Sequence, residues 1–164
     1  MASILVLATL VEASAAAREA DRFLDDSLWT RRTILAFAPA GAPEIDELKA
    51  IVAARSCAVD DRDLDIFVIT LDSIRKIDSD APSLAGESPE DLRAAYAADD
   101  KRFEMVLIGK DGGIKARSLN LSDFADFFAL IDTMPMRRAE IAERGPGCAS
   151  NREVGPIRPT LPTR

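Results

Sequence analysis

Thiol chemistry has two candidate residues in this chain, Cys57 and Cys148, and no histidine is present to activate either of them. Without histidine, Ser-His-Asp and Cys-His catalysis, HExxH zinc sites and the two-histidine iron site are all excluded. Two cysteines are also too few to close a cysteine-rich zinc site. No catalytic residue, metal or cofactor is predicted.

The two cysteines have three alternative states. A buried or inert Cys57 is the preferred interpretation, because no surrounding motif indicates a lowered thiol pKa. A disulfide between Cys57 and Cys148 comes second. In an exported protein it would close a loop of ~90 residues and contribute about 4 kcal/mol in the chain-entropy model. A redox-active Cys57 comes third.

The stretch Gly-Lys-Asp-Gly-Gly around Asp111 has the glycine content of a phosphate loop. A Walker loop, however, places its lysine after the glycines and begins a helix there. Here Lys110 precedes Gly112 and Gly113, and a strand pattern follows. The stretch is therefore predicted to be the tight turn of a β-hairpin, with Asp111 and Gly112 at positive φ.

An acidic pattern lies near the middle of the chain. The spacing of Asp61, Asp63, Asp65 and Asp72 resembles a calcium loop. Such a loop requires glycine at the position that Ile66 occupies. A solvated acidic entry to a strand is the preferred interpretation.

Basic residues near the hairpin and the Met-Pro-Met-Arg-Arg motif form a candidate basic patch. Its members are Lys110, Lys115, Arg117, Arg137 and Arg138. The preferred alternative is that the arginines neutralise the aspartate-rich surface and a helix C-terminus.

Composition restricts the class of protein. With 164 residues, 48% of them hydrophobic and 30% charged, the chain fits one globular domain with a real core. The net charge of −7 and the sequence pI of about 4.7 oppose binding to a phosphate backbone, so nucleic acid is not expected as a partner. The partner is otherwise unknown, and a protein is the class that stays open.

The two ends of the chain differ from its middle. Residues 1–17 resemble a signal peptide, with an apolar core from Ile4 to Val11 and small residues after it. This predicts a periplasmic or secreted protein; the alternative is a frayed N-terminal helix of a cytoplasmic one, since no basic residue precedes the core. No membrane span is expected in the mature chain. Residues 18–142 form the predicted domain, and residues 143–164, with four prolines, a flexible tail.

Apolar periodicity predicts alternating strands and helices between these ends. The order is β-α-β-α-β-β-α, which is typical of a thioredoxin-like mixed α/β sheet with helices on both faces. Trp29 is predicted to lie in the core. The predicted elements are a strand at 33–38, a helix from Pro43, a strand at 64–71, a helix from Pro89 to Ala98, a hairpin at 103–119 and a helix around Phe124, Phe127, Phe128 and Ile131.

Four stretches together resemble a known family: LWTRRTILAFAP, DRDLDIFVIT, FEMVLIGKDGGIKARS and IDTMPMRRAEI. They are similar to an uncharacterised peroxiredoxin-like domain family with the thioredoxin fold. That family occurs in bacterial exported proteins and in vertebrate sushi-repeat and related matrix proteins. The resemblance covers about Leu24 to Ile141, which is nearly the whole predicted domain.

The resemblance also locates the place of the peroxiredoxin active site. The proline of the family motif matches Pro39, but its Ser/Thr position falls on Pro43 and its cysteine position on Asp46. Arg102 lies near the place of the active-site arginine. The sequence therefore favours a non-catalytic module of the cell envelope, of unknown function, with a binding or structural role. The alternative is a peroxiredoxin-related thiol oxidoreductase that uses Cys57.

Overall fold

The central feature of the fold is one mixed β-sheet with the strand order β3-β2-β1-β4-β5. The computed structural model describes residues 27–79, 87–145 and 147–148. The strands are β1 (Arg32–Phe37), β2 (Leu64–Ile69), β3 (Ile74–Lys76), β4 (Glu104–Ile108) and β5 (Ile114–Ser118). The helices are α1 (Pro43–Ala54), α2 (Ser56–Asp61), α3 (Pro89–Tyr96), α4 (Phe124–Thr133) and α5 (Pro135–Arg144), with a 3-10 turn at Leu121–Asp123.

Strands β1 and β2 form the parallel centre of the sheet, and α1 and α2 lie in the connection between them. Every residue of both strands is buried, as expected for strands that are covered on both faces. Strand β4 runs antiparallel on the other side of β1, and β3 and β5 are the outer strands. Because β1 and β2 are parallel, they end on the same side of the sheet, here called the carboxyl edge, and start on the other side, here called the amino edge. Helix α1 begins at the carboxyl edge, and α2 ends at the amino edge.

The two faces of the sheet carry separate apolar cores. Alternation along β1 directs Ile34 and Ala36 to one face, where α1 and α4 pack, and Leu35 and Phe37 to the other, where α3 packs. Helices therefore cover both faces of a mixed sheet. The predicted thioredoxin-like fold class is confirmed.

Local signals explain where two of the helices begin. Pro43 and Pro89 occupy the first turns of α1 and α3, where a missing N–H removes no helical hydrogen bond. The side-chain oxygen of Ser88 also caps α3, accepting a hydrogen bond from the backbone N–H of Asp91 at 3.0 Å. Both starts agree with the sequence prediction.

The end of the domain lies further along the chain than the sequence indicated. The predicted boundary at residue 142 falls inside α5, which continues to Arg144. Only Arg137 of this helix is buried, so no apolar periodicity marks it in the sequence.

Within the described ranges no helix is both long and apolar enough to cross a membrane. The predicted signal peptide and the tail from residue 149 onwards lie outside the described residues.

The hairpin between β4 and β5 is present where the glycine cluster predicts it. Gly112 donates to the carbonyl of Gly109 at 3.0 Å, and Gly109 donates to the carbonyl of Gly113 at 2.9 Å. Gly112 has a φ of 76°, whereas Asp111 is not among the residues with positive φ. The prediction that both would share this conformation was wrong, because one left-handed residue after the turn suffices in a loop of this length.

Trp29 was expected in the core and lies instead on the surface, with 65% of its area exposed. Its φ of 64° turns the chain, and its N–H donates to the carbonyl of Lys110 at 2.6 Å. The side chain of the preceding Leu28 lies beside Gly112. Because the chain turns at Trp29, the side chain points outward and not into the core.

Candidate functional site

The carboxyl edge of β1 is the place at which the resemblance puts the active site of peroxiredoxins. After the buried Ala38, the chain turns through Pro39 and Gly41, which has a φ of 73°, and enters α1 at Pro43. The N–H of Ala42 donates to the carbonyl of Pro39 at 3.2 Å and closes this turn. No side chain caps the helix. The N–H of Ile45 also donates, to the carbonyl of Ala42 at 3.1 Å, and Pro43 has no N–H, so this helix start offers neither a thiol nor an open set of backbone donors.

Asp46, which the resemblance aligns with the cysteine of the family motif, is a surface residue. Its side chain is 88% exposed and forms an ion pair with Lys49 at 3.0 Å. Glu44 also lies in the first turn of α1. Negative charge near a helix N-terminus stabilises the helix, but it repels an anionic ligand or a second anion. A carboxylate also has no redox chemistry with a peroxide or a disulfide.

Arg102 does not enter this edge. Its side chain is 58% exposed and lies 3.5 Å from Asp99, three residues earlier in the chain. The position that the resemblance suggested for an active-site arginine is therefore filled by a solvent-facing ion pair, since the residue belongs to the loop before β4.

A different arginine, Arg93 of α3, is buried at the carboxyl edge. One of its terminal nitrogens donates to the carbonyls of Ala38 and Ile69 at 2.9 Å and 2.8 Å, and the other to the carbonyl of Asp99 at 3.1 Å. The guanidinium also lies 5.6 Å from the ring centre of Phe37. Burial lowers the pKa of Arg93, against the opposing charges of nearby aspartates. Both terminal nitrogens of Arg93 are thus engaged by backbone carbonyls, and they join α3 and the loop after it to the carboxyl ends of β1 and β2.

Sequence reasoning missed Arg93. The usable signal was its position one residue after the apolar Leu92 and three before Tyr96, which both face the core. A charged residue on the buried face of a helix is uncommon and needs partners. Here the partners are backbone carbonyls from both central strands, which no sequence pattern identifies.

The two cysteines lie at the opposite edge of the sheet from Asp46. Cys57, at the start of α2, forms a disulfide with Cys148, and their Cα atoms are 5.9 Å apart across 91 positions of sequence. Most of α1 lies between them: the eight positions from Asp46 to Ala54 correspond to roughly 12 Å along the helix axis, and Cys57 follows in α2. The preferred interpretation of a buried or inert Cys57 was wrong, because the residue is exposed and paired; the second interpretation, a disulfide with Cys148, agrees with the structure. The chain after α5 returns to α2, and that return was not visible in the sequence.

The disulfide lies at the surface in acidic surroundings. Cys57 is exposed and Cys148 is half-buried. A shallow groove at this point is lined by Asp60 and Asp61 beside the two cysteines. Carboxylates raise the pKa of a neighbouring thiol, whereas reactive cysteines lie in electropositive surroundings. The geometry is that of an accessible cross-link without an activating group.

The five basic residues of the candidate patch do not form one surface. Lys110 and Arg137 are buried, and both form ion pairs with carboxylates. Lys115 pairs with Asp111 at 2.6 Å, within the hairpin turn. Each of these side chains is held by its own partner. The remaining two are Arg117, which pairs with Glu104 at 2.9 Å, and Arg138, which is exposed on α5.

Three of the four aspartates of the apparent calcium loop are engaged with basic side chains, and the fourth, Asp72, accepts a hydrogen bond from the hydroxyl of Thr70. Asp61 pairs with Arg137, and Asp63 pairs with Lys110 at 2.8 Å. Asp65 pairs with both Arg31 and Lys76. In the part of the chain that the structure describes, no three His, Cys, Asp or Glu side chains converge as metal ligands would. The pattern is a set of ion pairs that holds the amino edge together.

Two carboxylates at this amino edge, those of Asp63 and Glu140, have lowered pKa values. Burial alone would raise the pKa of Asp63, but hydrogen bonds from Lys110 and Arg144 outweigh it and hold the pKa below its usual value. Burial likewise opposes the shift at Glu140, where Arg32 and Lys110 lower the pKa. Both groups therefore stay ionised further into acid than free carboxylates do.

Comparison with known proteins agrees with this geometry. A family model described as Domain of unknown function (DUF4174) matches residues 23–140. The structure of thioredoxin peroxidase I from Plasmodium yoelii aligns at 16% identity and a TM-score of 0.50, covering 80% of this chain and 86% of that one. The Plasmodium yoelii protein Prx1a, modified at its N-terminus, aligns at 15% identity and a TM-score of 0.48, covering 78% of this chain and 84% of that one. The former likeness shows a peroxiredoxin-like thioredoxin fold. A search of curated proteins found no match.

Proposed function

We propose a non-catalytic binding or structural role in the cell envelope for this chain, which belongs to the family described as Domain of unknown function (DUF4174). One observation carries the proposal: Asp46 stands exposed where the peroxiredoxin motif has its cysteine. A thiolate at that helix terminus attacks peroxide because the helix dipole and free N–H groups stabilise it. A carboxylate cannot take over that reaction.

The position of Cys57 supports the same proposal. It lies at the other edge of the sheet, bound to Cys148, with acidic neighbours and no histidine. A thiol oxidoreductase that uses Cys57 is the second candidate, and the exposure of this sulfur is the observation in its favour. Reactive cysteines lie in electropositive surroundings, whereas Asp60 and Asp61 line the groove at Cys57.

Activity assays separate the two candidates. Purified protein, tested for peroxide consumption and for reduction of insulin disulfides with a dithiol as the reductant, is expected to show background rates only. The Cys57→Ser variant should give the same rates. Turnover in the wild type that disappears in Cys57→Ser would overturn the proposal and place the oxidoreductase first.

Export to the periplasm or the medium is part of the proposal. The apolar core and small residues at the start of the sequence support it, and so does the disulfide, since such bonds persist in oxidising compartments. The resemblance to domains of bacterial exported proteins and vertebrate matrix proteins also favours export.

N-terminal sequencing of protein from the native host should find a first residue between Ala16 and Arg18. A chain that begins at Met1 or Ala2 would refute export through this segment.

A further inference from the structure

Strand β3 has one side without a partner strand in the described part of the chain. Toward β2, the N–H of Thr70 donates to the carbonyl of Ser73 at 2.9 Å, and the N–H of Ile77 donates to the carbonyl of Ile66 at 2.8 Å. Hydrogen-bonding direction alternates along an antiparallel strand. It follows that Ile74 and Lys76 direct their N–H and C=O groups outward, away from β2. This edge can therefore accept another strand.

A groove lies beside this edge, between α1 and the β2–β3 hairpin. Its volume is about 560 Å³, which is within the range of ligand sites. The apolar side chains of Ile45 and Ala53 form its helical wall, and Val68 and Ile77 lie on the side of the sheet. The groove thus offers apolar surface next to unpaired backbone groups.

The rim of the groove is basic, although the chain as a whole carries a net charge of −7. Lys49 lines it with a side chain that is 56% exposed, held only by the exposed ion pair with Asp46. Arg75 is exposed at the rim, and within the described ranges it forms no ion pair. Asp78 is the acidic residue of the lining. Because exposed ion pairs contribute little, both cations can be recruited by a ligand.

We propose that β3 and this groove bind an extended, acidic segment of a partner protein by strand addition. A strand added to β3 would form main-chain hydrogen bonds with Ile74 and Lys76. Every second side chain of the added strand points to the face that carries the groove. At these positions apolar side chains can enter the groove, and acidic side chains can reach Lys49 and Arg75. The inference rests on the proposed function, because it supplies a partner class for a non-catalytic binding module.

A peptide titration tests the proposal. The probe is a short fluorescein-labelled peptide with the repeat Val-Thr-Glu-Thr, which places valine and glutamate on the same face of an added strand. It is added to the purified chain and followed by fluorescence anisotropy. Saturable binding is expected. A peptide with lysine in place of glutamate should bind at least about tenfold more weakly. The acidic peptide N-methylated on every residue, which has no N–H left to donate to β3, should be weakened by at least the same factor.

Matched variants test the residues. Lys49→Glu combined with Arg75→Glu is expected to raise the Kd for the acidic peptide by about tenfold or more. Lys101→Glu combined with Arg102→Glu changes the net charge equally at an exposed loop away from the groove and should leave the Kd within about twofold. Equal effects of the two double variants would show general electrostatic attraction and overturn the proposal.

Three further outcomes would also overturn it: no saturable binding, equal binding of the acidic and basic peptides, or unchanged binding of the N-methylated peptide. Sedimentation of the wild type and of Lys76→Pro, which removes an outward N–H, tests a second copy as the occupant. A dimer that this variant dissociates, with no peptide binding, would assign the edge to self-association. None of these results depends on turnover, so the proposed function is tested separately by the peroxide and insulin assays.

Discussion

The carboxylate of Glu140 accepts hydrogen bonds from both terminal nitrogens of Arg32, at 3.1 Å and 3.0 Å, across 108 positions of sequence. Lys110 adds a contact of 2.7 Å to the same carboxylate. These bonds join α5 to the first residue of β1 and to the hairpin turn. An otherwise polar helix is thereby held at the amino edge of the sheet through charges.

Replacement of Glu140 should show how much this contact stabilises the fold. Glu140→Gln keeps the shape but leaves Arg32 and Lys110 without their shared anion. The free energy of unfolding in urea is expected to fall by about 2–4 kcal/mol, since breaking a buried pair strands the remaining charge. Glu143→Gln, at an exposed position of the same helix, is the control and should change stability by less than about 0.5 kcal/mol.

Stability should decrease in acid for the same reason. The pKa values of Asp63 and Glu140 are lower in the folded state than their ordinary values of about 4. The stability that these groups contribute is therefore complete above the ordinary values and is lost as the pH falls below them, through the lower folded-state pKa values. Urea unfolding measured between about pH 6 and pH 3 should show the decline, and Glu140→Gln should show a smaller one. Equal slopes for both proteins would contradict this account.

The disulfide should stabilise the fold measurably. Cys57→Ser is expected to lower the free energy of unfolding by about 2–4 kcal/mol, because the open chain has more unfolded conformations. Cys148→Ser and the double variant should have the same effect, since each change removes the same cross-link. Thiol titration of the unreduced, unfolded wild type should find no free cysteine. An additive effect of the two substitutions would show that each cysteine acts on its own.

Two neighbouring glycines should respond differently to alanine. Gly112 has positive φ, and an added Cβ would lie 3.0 Å from Leu28, so Gly112→Ala should destabilise by about 1–2 kcal/mol. At Gly113 the nearest atom is the mobile end of Lys115, at 3.3 Å. Gly113→Ala should therefore change the unfolding midpoint little. Equal midpoint shifts in chemical denaturation would count against the left-handed assignment.

Arg93 should be sensitive even to lysine. Its planar guanidinium spans three carbonyls, and an ammonium group cannot reproduce that fork. Arg93→Lys is expected to lower the free energy of unfolding by about 2–3 kcal/mol. Arg102→Lys, made at an exposed arginine, is the control and should stay within about 0.5 kcal/mol of the wild type. A tolerated Arg93→Lys would mean that water replaces the missing contacts.

Sequence alone determined the elements whose signals are local. Pro43 and the cap at Ser88 mark helix starts through backbone chemistry that needs no distant partner. The apolar runs of β1 and β2 mark buried strands, and Gly112 marks the hairpin. The polar helix α5 and the short strand β3 lack such signals, because tertiary contacts hold them in place.

Tertiary structure alone decided the sites. Whether Cys57 meets Cys148, and which carbonyls Arg93 reaches, depends on segments brought together across the sheet. The same holds for Trp29, whose outward direction follows from one positive φ and a bond to the hairpin. Propensity and hydrophobic periodicity determine structure over a few neighbouring residues. An ion pair or a disulfide depends on two segments that are far apart in the sequence and come together only in the folded chain. For this chain the sequence could therefore identify the two cysteines, but it could not show that they meet at the amino edge of the sheet.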